Sequence, residues 1–546
     1  MGTSGYYVYR YRKIFFIYYV SSDHQPRGLG IKMLQHMRQP NAIAKERQRF
    51  EGILRKLCDP SYPRESDDVK QARFYDELDF IAQKRRPQND SLIEWIYEID
   101  LDRNIYYINA VPFFSLECLP SDEDFLDYIS TDHYGNLTCS RRCPPEHKYK
   151  RPAPPAVDDS DLVTYKSLEC GGTDVPLSDL LAINEVLTPD EHVRLSLLEI
   201  MIGQCMFRPG VWEMHKQLMP WPHVGQMICD LEVAFDHNRL TNQEWSTACS
   251  IASLAFIPQI FDTPSSWIYH PELKRKEFTW VREDTVVRIA THLDDERCLH
   301  SCISRLIDEI LEQKDNPGYY FGVAFSVYHC AIVKVAKDIH AIKFSHTPAL
   351  QFLPSFYAYS PSTPGITALT RLGYRVDPAL FARATKICGW LRFRMTTHHT
   401  NNEQPLAGGA DDEPEISCEA LPFELWREIA LHLHFRDLIS FGLVSKLCRE
   451  VASVILRHPH VGGYRLVAVP KQTPKNLRQR YRFLRAASFV AARGGIPATV
   501  VVGLGSSDCD NIRIPFGYDS SFSDHSIYMH ITAEVAKEAT PVGEGR

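Results

Sequence analysis

The sequence predicts an α+β N-terminal region, a mostly helical middle, an all-α short helical bundle near 417–457 and a short mixed C-terminal tail. Three observations carry this. Residues 6–20 and 95–119 are dense in Tyr, Phe, Ile and Val, the composition of strands. From about 161 onward apolar residues recur at helical spacing, most clearly from Leu299 to Leu311. Residues 421–452 read LPFELWREIALHLHFRDLISFGLVSKLCREVA, the pattern of two or three short helices.

The first region, 1–150, opens with a hairpin or one long strand around Arg12-Lys13. Helices follow at 28–36 and 42–57, the second with Phe50, Ile53, Leu54 and Leu57 on one face. A second strand pair spans Trp95–Leu119, with its turn at Asp100–Asn104. The proline-rich stretch 144–160 reads as a surface linker or long loop.

The second region, 161–395, is expected to be mostly helical and packed with the first. Leu299, Cys302, Ile303, Leu306, Ile307, Ile310 and Leu311 form one stripe. Asp377-Pro378 starts another helix that buries Leu380, Ala384, Ile387 and Leu391, and Thr363 caps a helix whose first residue is Pro364. The β-branched and aromatic content of 318–335 favours a buried strand pair, with a helix left open. Residues 396–416 are polar and acidic, a flexible linker leading into the helical bundle and suggesting a tethered module.

In that bundle, Leu421-Pro422 starts an element. Leu425, Ile429 and Leu433 recur at i, i+4, i+8, along one helical face. Asp437 is an N-cap candidate; Leu438, Phe441 and Val444 continue at i, i+3, i+6, with Leu443 and Leu447 beside them. This is more apolar surface than ~35 residues bury alone, so the module needs a partner.

The stretch resembles an F-box, without a gap. The resemblance implies a surface that holds a Skp-type adaptor, formed by Leu421, Pro422, Leu425, Ile429, Leu433, Leu438, Leu443, Val444 and Leu447, with Asp437, Ser445 and Lys446 at family positions. Cys448 departs from the pattern, standing where the family usually has an aromatic, which removes contact area. The implied function is substrate-recognition subunit of an SCF-type (Skp-cullin-F-box) E3 ubiquitin ligase, with no catalytic residue and no cofactor. Its implied partners are the adaptor, cullin through it, and an unidentified protein substrate, in the cytoplasm and/or nucleus.

The tail, 458–546, is basic and mixed: Val451–Ser507 contains no acidic residue. Within it NLRQRYRFLRAASFVAAR reads as a helix with a basic face. Arg478, Arg480, Arg482 and Arg485 are candidates for holding an acidic or phosphorylated substrate, against a solvated face or a complement to the acidic linker.

Composition narrows the remaining classes. A net charge of −7 gives the whole chain no pull toward nucleic acid. No apolar run reaches membrane length, and the N-terminus lacks the shape of a signal peptide. Fifteen cysteines without framework spacing read as reduced thiols. Cys139, Cys143 and His147 have zinc-like spacing, with His133 and Cys170 as fourth ligands to consider, but four ligands at closed spacing are not visible. Cys298 and Cys302 share a helical face that His300 leaves, so they read as core cysteines beside an exposed histidine. Asp100-Leu-Asp102-Arg-Asn104 lacks the glycine and glutamate of a calcium loop and reads as a polar turn. No internal repeat marks a receptor array. Residues 1–390 resemble uncharacterised fungal domains through YRYRKIFFIYYVSSDHQPRGLG, WIYEIDLDRNIYYIN and SHTPALQFLPSFYAYSPSTPG. That likeness brings no activity. It leaves open an enzyme or ligand-binding domain that uses the F-box for self-turnover, or an F-box scaffold outside a cullin complex.

Overall fold

The computed structural model describes residues 4–57, 72–73, 80–83, 86–87, 93–131, 137–150, 153–172, 174–205, 240, 242–261, 276–338, 341–353, 363–386, 421–470, 485–504, 512–516 and 527–535. Two compact units emerge. One holds the described residues up to Ala153, the other Pro154–Gln204 and the described residues from Leu240 onward.

The first unit is a seven-stranded sheet with helices. Strands β1 (Ser4–Tyr11) and β2 (Ile14–Val20) form the hairpin. Arg12 and Lys13 both take left-handed backbone (φ 50° and 63°), the turn that matches strand twist. Helices α1 (Ile31–Met37) and α2 (Ala42–Leu57) follow. Then come β3 (Ala72–Arg73), β4 (Phe80–Gln83), β5 (Ile93–Asp100), β6 (Ile105–Ile108) and β7 (Val111–Ser115), giving the order β3-β4-β2-β1-β5-β6-β7. Only β1 and β5 pair in parallel, and a parallel pair needs a long crossover, which contains α1 and α2. Phe50 of α2 packs 4.5 Å from Phe16 and 5.0 Å from Tyr9. The Asp100–Asn104 turn is latched to the first hairpin. The Asp102 carboxylate accepts from the Arg12 and Lys13 N–H groups at 2.7 and 3.0 Å, and buried Asp100 pairs with Arg10 at 2.6 Å. Where a strand pair is expected there are three strands, because Asn109 and Ala110 (φ 48° and 65°) make a second tight turn. Helix α3 (Asp122–Asp127) and the small pair β8 (Ile129–Thr131) and β9 (Leu137–Cys139) complete the unit.

The second unit begins with α4 (Asp159–Ser167), β10 (Glu169–Gly172), α5 (Leu177–Leu181), α6 (Pro189–Cys205), α7 (Asn242–Ser253) and the two-residue strand β11 (Ile260–Phe261). Next come β12 (Phe278–Arg282), β13 (Thr285–Ile289), α8 (Glu296–Gln313), β14 (Gly318–Phe325), β15 (His329–Lys337), β16 (Ile342–His346), β17 (Leu350–Gln351) and α9 (Pro364–Tyr374). The mostly helical expectation for the middle needs revising. Its helices pack on a sheet of order β10-β16-β15-β14-β13-β12, with β17 beside β15. The strand pair expected at 318–335 is β14–β15, at the sheet's centre. Helix α8 links the parallel strands β13 and β14 and buries Leu299, Cys302, Ile303, Leu306, Ile307 and Ile310. Gly322 lets it approach, since a Cβ there would lie 3.2 Å from that of Leu306. Thr363 caps α9 as expected, its hydroxyl accepting from the Ile366 N–H at 3.3 Å.

The chain then forms α10 (Phe423–Leu431), α11 (Phe435–Gly442) and α12 (Lys446–Leu456). Strands β18 (His460–Val461), β19 (Tyr464–Ala468), β20 (Arg485–Arg493), β21 (Ile496–Leu504), β22 (Ile512–Phe516) and β23 (Ile527–Val535) form a second large sheet, β11-β18-β19-β20-β21-β23-β22. The basic helix expected at the end of NLRQRYRFLRAASFVAAR is therefore corrected over 485–493. These residues pair antiparallel with β21, from Arg485 opposite Leu504 to Arg493 opposite Ile496, and a Gly494-Gly495 turn (φ 56° and 79°) folds β20 onto β21.

Candidate functional site

The three helices α10–α12 have an inner and an outer side. Inside lie Ala430, Phe435, Leu438, Ile439, Val451, Ala452, Ile455 and Leu456, in one core with Ile260, Leu380, Phe381 and Ala384 of the middle region. The approach is close. A Cβ on Gly442 would sit 2.1 Å from the Phe381 ring, so only glycine fits without a shift. The pairing is also backbone deep: β11 and β18 pair in parallel, Ile260 with His460 and Phe261 with Val461. Arg457 donates to the Tyr374 carbonyl at 2.7 Å and lies over that ring. The tethered-module expectation is thus corrected; these helices are built into the second unit. The acidic segment 396–416 lies outside the described residues.

Local signals explain the helix starts. Pro422 occupies the N-cap of α10, where its missing N–H costs nothing. The Ser445 hydroxyl caps α12 by accepting from the Cys448 N–H at 3.2 Å. Asp437 is not the expected cap: His434 takes that place in α11 without a side-chain bond, and Asp437 sits in the first turn, where its charge favours the helix dipole.

The outer side is apolar and open. Leu425 is 50 % exposed, Ile429 44 %, Leu443 54 % and Val444 48 %, and Pro422 is exposed beside them in sequence. Leu425 and Ile429 share a face of α10, one turn apart, while Leu443 and Val444 form the corner between α11 and α12. Leu421, Leu433 and Leu447 are half-buried. Two expectations change. Leu438, expected on the outer surface, is 1 % exposed and belongs to the inner core. Cys448 is also 1 % exposed, so its small side chain takes nothing from the outer face. Phe423, which the sequence pattern did not nominate, is exposed as well; its position directly after Pro422, on the first turn of α10, was the available signal.

Comparison with known protein families matches residues 419–458 to the F-box domain. The chain carries an F-box. No curated protein and no solved structure matches the chain. F-box domains generally bind Skp-type adaptors, and F-box proteins are typically non-catalytic. Among the described residues, the outer side of α10–α12 is the exposed apolar face of this F-box. Among the described residues no helix is long and apolar enough to cross a membrane.

The other candidates do not converge. Cys139 and Cys143 are buried and hydrogen-bond each other, which raises the Cys139 thiol and lowers that of Cys143. The His147 Nδ1 donates instead to the Cys118 carbonyl at 2.9 Å. Among the described residues no three His, Cys, Asp or Glu side chains gather as a metal site. His300 is half-buried, stacked 4.0 Å from Tyr165, not exposed as expected, and burial lowers its pKa. Arg478, Arg480 and Arg482 lie outside the described residues, and Arg485 begins β20.

Proposed function

We propose that this protein is a substrate-recognition subunit of an SCF-type ubiquitin ligase, with its F-box docking on a Skp-type adaptor and, through it, on cullin. The docking face is the outer side of the F-box: Pro422, Leu425, Ile429, Leu443 and Val444, flanked by Leu421, Leu433 and Leu447, with Leu438 supporting them from within. The observation behind this is the concentration of exposed large apolar side chains. Phe423, Leu425, Ile429, Leu443 and Val444 all fall within one short segment, while the other exposed ones among the described residues are scattered. A patch of this kind on a soluble fold marks an interaction surface.

In this role no side chain performs bond chemistry. The chain contributes proximity, raising the effective concentration of a target lysine near the charged conjugating enzyme. The F-box occupies residues 419–458, so the rest of the described structure is free to bind the target.

Co-purification tests the proposal. The full chain should recover adaptor and cullin. Leu425→Ala with Ile429→Ala should abolish recovery, since each docked side chain contributes roughly 1.5–3 kcal/mol, together about a hundredfold or more in affinity. Recovery of adaptor without cullin would point to a scaffold outside the ligase. No adaptor binding by the wild-type chain would end the proposal.

A further inference from the structure

Five arginines gather where the middle region meets the end of the F-box: Arg194 of α6, Arg282 of β12, Arg375, Arg383 and Arg457. Four of them, Arg194, Arg282, Arg375 and Arg457, line one small, partly open cleft, with Phe256 and Leu380 in its apolar wall.

Backbone carbonyls hold three of the four cleft-lining guanidiniums in place, and Arg383 donates to the Val281 carbonyl at 3.3 Å. Arg194 donates to the Ala255 carbonyl at 2.6 Å, Arg282 to those of Gly373 and Arg375, and Arg457 to that of Tyr374. Yet the Nε of each is buried without a hydrogen-bond partner, and so is that of Arg383. Carboxylates offset only part of the charge. Asp377 pairs with Arg383, Asp284 with Arg375 at 3.2 Å, and Asp190 accepts from the Tyr374 hydroxyl. Among the described residues no carboxylate lies within ion-pair distance of Arg194, Arg282 or Arg457. Burial, aided by repulsion from neighbouring guanidiniums, brings Arg194 down to about 9 and Arg282 and Arg383 down to about 10. All three stay charged at neutral pH. Among the described residues, five guanidiniums against these three carboxylates leave an excess of two positive charges, and buried unpaired donors call for an acceptor.

We propose that this cleft binds a small oxyanion of the phosphate class. A tetrahedral oxyanion offers several acceptors in different directions, which suits guanidiniums presented from separate elements; a halide offers none of that directionality. The small size of the cleft excludes a large cofactor. An anion held there would join α6, β12 and the segment after α9 to the end of the F-box. The inference does not depend on adaptor docking, because the cleft shares no residue with the docking face.

The test is thermal unfolding and calorimetric titration of the full chain with inorganic phosphate, against chloride at matched ionic strength. Phosphate should raise the unfolding midpoint saturably, sulfate should mimic it, and chloride should not. Arg375→Gln, at a partly exposed position, should weaken phosphate binding about tenfold or more. Titration with O-phosphoserine separates two sources: binding as tight as that of phosphate assigns the site to a phosphoryl group on a larger ligand, and binding of phosphate alone assigns it to the free ion. Equal midpoints in phosphate and chloride for the wild-type chain would overturn the proposal, whatever the variant does. So would phosphate binding that Arg375→Gln and Arg282→Lys both leave unchanged.

Discussion

Leu425 and Leu438 stand in the same amphipathic run and end in opposite environments, one half in solvent and the other in the core shared with Phe381. Substitution should separate them. Leu438→Ala should destabilise the fold by about 2–5 kcal/mol, whereas Leu425→Ala should stay within about 0.5 kcal/mol of wild type. Denaturant unfolding of both variants checks this, and similar losses at the two positions would contradict the division into inner and outer sides. Histidines behind the F-box set an acid limit. Burial lowers His458 to about 4, against the partial help of Asp190, and lowers His460 to about 3 while its Nδ1 donates to the His458 carbonyl. Both folded values lie below the unfolded value of about 6.5, so the unfolded chain binds more protons between them. Their stabilisation is complete above about pH 6.5 and is lost as pH falls through 4 and then 3, with His458 alone contributing on the order of 3 kcal/mol. Stability measured from pH 7 to pH 3 should therefore fall, and His460→Gln should flatten the decline below about pH 6.5 and remove its share of the fall between pH 4 and 3.

Elements made from neighbouring residues are legible in the amino-acid order alone. The hairpin across Arg12-Lys13, α2 over 42–57, the stripe of α8 and the Thr363-Pro364 start of α9 each follow from local spacing and capping. So does most of the candidate docking face, because Leu425 and Ile429 carry their own period. Leu438 misleads for a physical reason. Periodicity identifies an apolar face without saying what covers it, and here α11 turns that residue toward Leu380 and Phe381. Short strands are the other failure. Ile260 and His460 pair two hundred positions apart, and two residues carry no period. The tail strand β20 hides behind arginines whose spacing also suits a helix; its partner β21 across the glycine turn decides the matter.

At the scale of the second unit, the F-box shares its core and a sheet edge with the chain before it. The isolated segment 419–458 should therefore fail to fold alone, lacking Ile260, Leu380, Phe381 and Ala384 against its inner side. Its amide spectrum should be poorly dispersed while the full chain unfolds cooperatively; a well-dispersed spectrum would show that the shared core is dispensable. The β11–β18 pairing has one more consequence. A swivelling receptor lets a captured target sample many angles, so several of its lysines take turns at the conjugating enzyme. Backbone bonds from His460 and Gly462 to Gln259 and Phe261 deny the F-box that swivel. A target gripped by the second unit would be presented at a constant bearing, and the choice of lysine would follow from where it sits on the target rather than from how long it searches.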